Sequence, residues 1–249
     1  MSLETILSYE MDDLLNFLKE SEDELFEMVP ELKPMKGFQQ NNPHHIYDVW
    51  DHTKAALAAA NQDLIVRLAV LFHDTGKPRC YTEDEEGTGH FYRHGLISAD
   101  ITDQVMKRLG FTDSVREQVV TLVKYHDIRL AGKRKSIRVW LHKIGEDQFR
   151  RLLQVQICDA RGQNPEYLSE KLERVEKVER VLEEIIAQEE SFQIKDLAIA
   201  GSDLICLGYE PGRLIGEVLK KLTDCVREEI LINDRKVLLE IAEVWLKEV

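Results

Sequence analysis

The chain has 249 residues, 43% of them hydrophobic, which is enough to bury a full core without covalent staples. Its formal net charge of −13 argues against broad, charge-driven binding of nucleic acid, which needs a basic face. No run of about eighteen apolar residues is present, no basic-then-apolar leader opens the chain, and the four cysteines (Cys80, Cys158, Cys206, Cys225) form no CxxC pair. The expectation is therefore a cytoplasmic protein with no membrane span, secretory signal, zinc knuckle or disulfide framework.

Helical spacing dominates from the start. Leu3, Ile6, Leu7, Met11, Leu14, Leu15 and Leu18 predict one or two N-terminal helices, broken near Ser8 or Met11. Pro30, Pro34 and Gly37 predict a loop that continues through Asn41-Asn42-Pro43. A helix is expected from Tyr47 or Asp48 to about Ala60, carrying Trp50 and His52. Asp63 is a good N-cap for the next helix, whose Leu64, Ile65, Leu68, Leu71 and Phe72 face inward and which ends at His73-Asp74. Arg79–Thr82 and His90–Arg93, flanking an acidic turn with Gly87 and Gly89, predict a short β-hairpin. Further helices are expected at Leu96–Leu109, Ser114–His126, Ser136–Ile144 and Asp147–Ala160, then a long charged one over Glu166–Gln188. Two more surround Gly208-Tyr209-Glu210-Pro211-Gly212, and an amphipathic helix over Asp234–Lys247 ends the chain. Gly208 and Pro211 read as helix end and helix start rather than a phosphate cradle.

Chemistry concentrates at helix ends. The order His52, His73-Asp74, His94, His126-Asp127, Asp159 supplies imidazoles and carboxylates, the donors that a hard or borderline divalent metal takes. A metal with an open position lowers the pKa of bound water, gives hydroxide at neutral pH and polarises a phosphoryl oxygen, so phosphoester hydrolysis is the expected chemistry. His126, at a helix C-terminus, equally fits a role on the helix dipole. His44, His45, His90 and His142 read as surface or satisfied core residues. Lys77, just past the helix end, fits a solvated side chain.

That order resembles the HD superfamily of metal-dependent phosphohydrolases, with His73-Asp74-Thr75-Gly76-Lys77 similar to its helix-ending motif. Asn42-Pro43-His44-His45, Val49-Trp50-Asp51-His52-Thr53, Gly89–His94, Tyr125-His126-Asp127, Cys158–Gly162 and Gly201–Gly212 together look like the HD-containing C-terminal part of bacterial CCA-adding tRNA nucleotidyltransferases and their poly(A) polymerase relatives. The likeness covers about Glu31 to the C-terminus. It implies an all-α HD-domain helical fold with one short β-hairpin, followed by a C-terminal helical subdomain. The implied segments are a helical lead-in (1–30), an HD phosphohydrolase domain (31–165) and a region resembling the tRNA nucleotidyltransferase body and tail (166–249).

The resemblance implies one metal on His52, His73, Asp74 and Asp159, and a second on His94 and His126. The ion would be divalent, of the Mg, Mn, Ni, Fe or Zn class, one or two per chain. Asp74 would bridge toward the nucleophile, and Asp127 would orient His126 or relay a proton. Lys77, Arg93 and Arg161 would neutralise substrate phosphate. The implied activity is hydrolysis of nucleotide-type phosphomonoesters or cyclic phosphodiesters. The family's nucleotide-transferring head needs paired metal-binding aspartates, and no Asp-x-Asp occurs here. About thirty residues precede the likeness, too few for that head, so CCA addition by this chain alone is not expected. The alternative is a split-off body that binds tRNA-like RNA or a separate head without catalysis, with phosphate contacts at Lys133-Arg134-Lys135, Arg138 and Arg150-Arg151. Net acidity disfavours RNA.

Overall fold

The structure, a computed structural model, describes residues 2–191, 193–228 and 230–247. Met1 and Val249, the outer limits of the expected segments, lie outside the described residues. The fold is all-α, with 14 α-helices and one two-stranded antiparallel hairpin among the described residues. Contacts divide it into two compact units, Met1–Glu179 and Arg180–Val249.

The first unit opens with α1 (Leu3–Leu7), α2 (Met11–Glu20) and α3 (Glu22–Met28). Residues Pro30–Met35, expected as loop, form a 3₁₀ helix instead. Pro30 and Pro34 lack N–H donors and so tolerate the tighter turn, while Leu32 and Met35, three apart, are both buried. Asp48 caps α4 (Val49–Leu57), its side chain accepting from Asp51 N. Next come α5 (Leu64–Phe72) and a short α6 (Lys77–Cys80). The α6 turn replaces the strand expected from Arg79, because Pro78 is favoured in a helix's first turn. The hairpin shrinks to β1 (Thr82–Glu83) and β2 (Gly89–His90), with Thr82 opposite His90 and Glu83 opposite Gly89. Helices α7 (His94–Arg108), α8 (Asp113–Tyr125), α9 (Arg134–Ile144), α10 (Glu146–Gly162) and α11 (Leu168–Ser191) follow.

Helix α5 is buried on every side from Ile65 to Phe72, as expected for a helix apolar all round. It packs on α8, α10 and α4, while α7 packs mainly on α8. Its one basic residue, Arg67, is buried too and donates to the carbonyl oxygens of Asn61 (2.7 Å), Leu7 (2.8 Å) and Tyr9 (2.6 Å), tying α1 to the centre. Asp63 caps α5 by accepting from Ile65 N and Val66 N, and pairs with Arg151 of α10 at 2.7 Å. Asp63→Ala removes the cap and the tether, so urea unfolding should show a loss of about 1–2 kcal/mol. A loss below a few tenths would mean that packing alone fixes the start of α5.

The second unit carries α12 (Gly201–Leu207), α13 (Arg213–Arg227) and α14 (Arg235–Leu246). Leu204, Tyr209, Leu222 and Leu238 form the centre of its core, and Tyr209 donates its hydroxyl to Ala242 O at 2.7 Å. Gly208 ends α12 at φ +108°, a conformation that glycine adopts freely. No helix among the described residues is long and apolar enough to cross a membrane.

Candidate metal centre

Five helices of the first unit bring the candidate ligands together. His52 lies in α4, His73 follows the last residue of α5, His94 opens α7, His126 follows α8, and Asp159 sits near the end of α10. Asp74 is the hub. Its Oδ2 lies 3.3 Å from His52 Nε2 and 3.2 Å from His73 Nε2. Its Oδ1 lies 3.5 Å from His94 Nε2 and 3.8 Å from His126 Nε2. Asp159 Oδ1 is 3.0 Å from His52 Nε2 and 3.5 Å from His73 Nε2. Two groups that could hold a metal ion result, His52–His73–Asp74 and Asp74–His94–His126, and they share Asp74.

The backbone behind each imidazole fixes its chemistry. His73 Nδ1 donates to Val70 O (2.6 Å), His126 Nδ1 to Val123 O (2.7 Å) and His94 Nδ1 to Phe91 O (2.8 Å), each three residues upstream. For His73 and His126 these carbonyls belong to the last helical turn, where carbonyls lack helical partners. His52 Nδ1 donates instead across the fold to Gly162 O at 2.9 Å. A carbonyl only accepts, so every Nδ1 carries hydrogen and every neutral ring turns a bare Nε2 lone pair inward. These lone pairs face one another, at 3.1 Å for His52–His73 and 3.0 Å for His94–His126. Both Asp74 oxygens are buried and accept no hydrogen bond. Lys77 Nζ, 2.7 Å from Oδ2, supplies charge to Asp74 without hydrogen-bond geometry. Such a set repels itself unless a cation or protons neutralise it. Inward lone pairs backed by carbonyl-held N–H groups are what a divalent metal's ligands require, and the residues present fit one.

The charges agree. Burial opposes a proton on His73, yet Asp74 and Asp159 outweigh it and hold the His73 pKa at about 10. Burial alone would raise the Asp74 and Asp159 carboxyls, but His73 and His52 beside both, with Lys77 beside Asp74, keep them well below the usual carboxylate range. Burial, then His94 and His73, press His126 down to about 3, so it is neutral at pH 7.

The centre opens into a cavity of about 570 Å³ lined by Asp74, Lys77, Arg93, His94, Asp127 and Asp159 among others. Lys77 is buried rather than solvated, held by Asp74 and by Gln40 Oε1 at 2.7 Å. Arg93 sits on the rim at φ +63°, immediately before His94. Asp127 does not orient His126, whose Nδ1 is taken by Val123 O; desolvation in the cavity raises its own pKa. Arg161 is exposed and is not among the lining residues. His90 (ion-paired to Asp84), His44 and His45 line the cavity, and the buried Nδ1 atoms of His44 and His45 have no hydrogen-bond partner, so the surface-or-satisfied-core reading does not describe those two.

Sequence reasoning missed three supporting residues. Gln40 holds Lys77. Gln163 donates to Asp159 Oδ1 at 2.8 Å. Gly162 accepts from His52, and a Cβ there would lie 2.8 Å from His52 O and 2.9 Å from its Nδ1. Gly162→Ala therefore pushes α4 from α10 and should cost roughly 1–3 kcal/mol in thermal unfolding, with weaker metal uptake. Wild-type melting and metal content together would contradict this.

Residues 92–242, more than half of the chain, match the family described as tRNA nucleotidyltransferase domain 2. The A-adding tRNA nucleotidyltransferase of Deinococcus radiodurans is 31% identical over 206 residues, covering 79% of this chain and 46% of that protein. The CC-adding tRNA nucleotidyltransferase of Thermus thermophilus is 30% identical over 209 residues, covering 80% of this chain and 45% of that protein. The bifunctional uridylyltransferase/uridylyl-removing enzyme of Ruegeria pomeroyi is 28% identical over 167 residues, covering 55% of this chain and 17% of that protein. The chain spans less than half the length of these relatives. The matched family segment contains His94, His126, Asp127 and Asp159 together with α12, α13 and the first two thirds of α14, and the chain belongs to the tRNA nucleotidyltransferase domain 2 family.

Proposed function

We propose that this chain is a metal-dependent phosphohydrolase acting on nucleotide-type phosphomonoesters or cyclic phosphodiesters. The observation that carries the reading is the inward set of four imidazole Nε2 atoms around the two unbonded oxygens of buried Asp74. His52, His73, Asp74 and Asp159 would hold one divalent ion; Asp74, His94 and His126 would hold a second. When bound, such an ion acidifies water and polarises a phosphoryl oxygen. Asp74 keeps the two halves of the site in register through its two oxygens. Lys77, pinned by Gln40, balances the Asp74 charge. Asp127, its pKa raised and its side chain in the cavity, is placed to hold a proton for the leaving oxygen. Arg93 lies where a substrate phosphate would enter; Arg161, outside the lining, would act only on a longer substrate. We assign residues 1–30 to a helical lead-in, 31–165 to the phosphohydrolase domain and 166–249 to a body-like helical region.

The names of two relatives favour a second reading, a body that binds tRNA-like RNA or a separate nucleotidyltransferase head. One experiment separates them. Purified full-length protein is analysed for bound metals, then screened against phosphomonoesters and 2′,3′-cyclic nucleotides beside His52→Ala, with tRNA binding measured on both. The hydrolase reading expects turnover that chelator and His52→Ala both abolish. Turnover indifferent to both, or no turnover with tRNA binding intact in His52→Ala, removes it.

A further inference from the structure

The cavity wall beyond the candidate ligands has a charge that the hydrolysis of a single phosphate does not require. In a chain of net charge −13, the lining contains six cations, Lys77, Arg93, Lys124, Arg129, Lys171 and Arg174. Lys77 is already engaged by Asp74. Elsewhere the described arginines are largely paired, as in Arg108–Glu31, Arg116–Asp103, Arg151–Asp63 and Arg235–Asp203. The side chains of Arg93, Arg129 and Arg174 form no ion pair or hydrogen bond among the described residues. Glu170, also in the lining, is exposed and pairs with none of them.

Three of these cations form a cluster. Lys171 and Arg174, three apart on α11, are half-buried. Arg129 lines the same cavity. Burial lowers the pKa of Lys171 and Asp159 raises it, while Arg174, Arg129 and Lys77 lower it further. Like charges lining one cavity repel one another, and an anion bound among them removes that cost. The cluster is also tied to the metal centre. Lys171 Nζ donates to Gln163 Oε1, and Gln163 Nε2 donates to Asp159 Oδ1. Two hydrogen bonds through one amide thus link Lys171 to a candidate ligand. His44 packs edge-on against Tyr167 in the same lining, with ring centroids 4.4 Å apart, offering a flat aromatic surface to a base. The cavity's size suits a mononucleotide.

We propose that Arg129, Lys171 and Arg174 form a second phosphate subsite, so that the preferred ligand is a nucleoside bisphosphate with one phosphate at the His/Asp centre and the other on this cluster. The assignment of the scissile phosphate rests on the hydrolase reading; the binding preference does not.

The test therefore has two readouts on the full chain supplied with manganese. Calorimetric binding compares adenosine 3′,5′-bisphosphate, the two adenosine monophosphates, inorganic phosphate, and a trinucleotide ending in a 3′-phosphate. Phosphate release from the same compounds gives kcat/KM. The bisphosphate should bind roughly 10- to 100-fold tighter than either monophosphate, as expected for one added charge-assisted contact set. Arg129→Ala and Arg174→Ala, on separate elements, should each shrink that ratio toward one. Equal binding of bisphosphate and monophosphate, or a ratio that neither variant changes, overturns the proposal. So does tighter binding of the trinucleotide, which would assign the wall to a nucleic-acid backbone. Preferential, variant-sensitive binding without turnover keeps the subsite and overturns only the hydrolase reading.

Discussion

Asp74→Ala should abolish metal uptake and destabilise the metal-free protein, two losses with one origin. Asp74 is the residue common to both ligating groups, with one oxygen toward His52 and His73 and the other toward His94 and His126. Without it, each group keeps imidazoles but no shared anion. The same carboxylate is the counter-charge of buried Lys77 and of protonated His73. Removing one partner of a buried pair leaves the other charge uncompensated, which typically costs about 3–5 kcal/mol. Urea unfolding in chelator should show that loss for Asp74→Ala. Adding Lys77→Met should recover much of it, because the stranded ammonium is gone, while metal content by elemental analysis stays near zero. A single variant as stable as wild type would mean that Lys77 finds another partner. Retained stoichiometric metal would remove Asp74 from the centre.

How far the site was legible in the sequence follows from distance along the chain. The helix ends were readable because capping is local: Asp63 sits two and three residues before the N–H groups it accepts from. His73, His94 and His126 were candidates by residue type, by their order along the chain and by resemblance; the carbonyl three residues upstream on which each leans is a local contact that the structure adds. His126 does not serve the helix dipole as a cation, because its pKa near 3 leaves the ring neutral at pH 7. Nδ1 answers the helix end and Nε2 faces the centre. What was not legible lies across the fold. The carbonyl that fixes His52 belongs to Gly162, 110 residues away, and no spacing rule announces it. Gln40 reaches Lys77 from 37 residues upstream, and the cationic wall draws on Arg129, Lys171 and Arg174, which in sequence look like ordinary solvated positions. The hairpin was placed correctly in kind, but each expected strand ran three residues too far on its outer side, and on the first side Pro78 sits in the first turn of a helix that takes Arg79 and Cys80.

Metal affinity should climb steeply with pH, and the reason is a single proton. In the metal-free protein His73 is held protonated by Asp74 and Asp159 up to a pKa of about 10, well above the ordinary imidazole value. A metal takes the neutral ring, so binding below that pKa must expel the His73 proton. His126, with its pKa near 3, is already neutral and adds no such cost at pH 7. The apparent affinity should therefore rise about tenfold per pH unit, roughly 100-fold between pH 6.5 and 8.5, and level off only as the pH passes the His73 value. Competition of manganese(II) against a chelator of known protonation behaviour gives the slope. Calorimetry at pH 8 in two buffers of different ionisation enthalpy gives the count directly, with about one proton released per metal at the first site. The sign is fixed by the direction of the shift: a raised folded-state pKa makes the proton the metal's competitor, and His73→Gln, which has no proton to expel, should bind more weakly but lose most of the slope. A slope near zero in wild type would mean that His73 is already neutral at pH 7, and the charge pairing of His73 with Asp74 and Asp159 in the metal-free state would have to be abandoned.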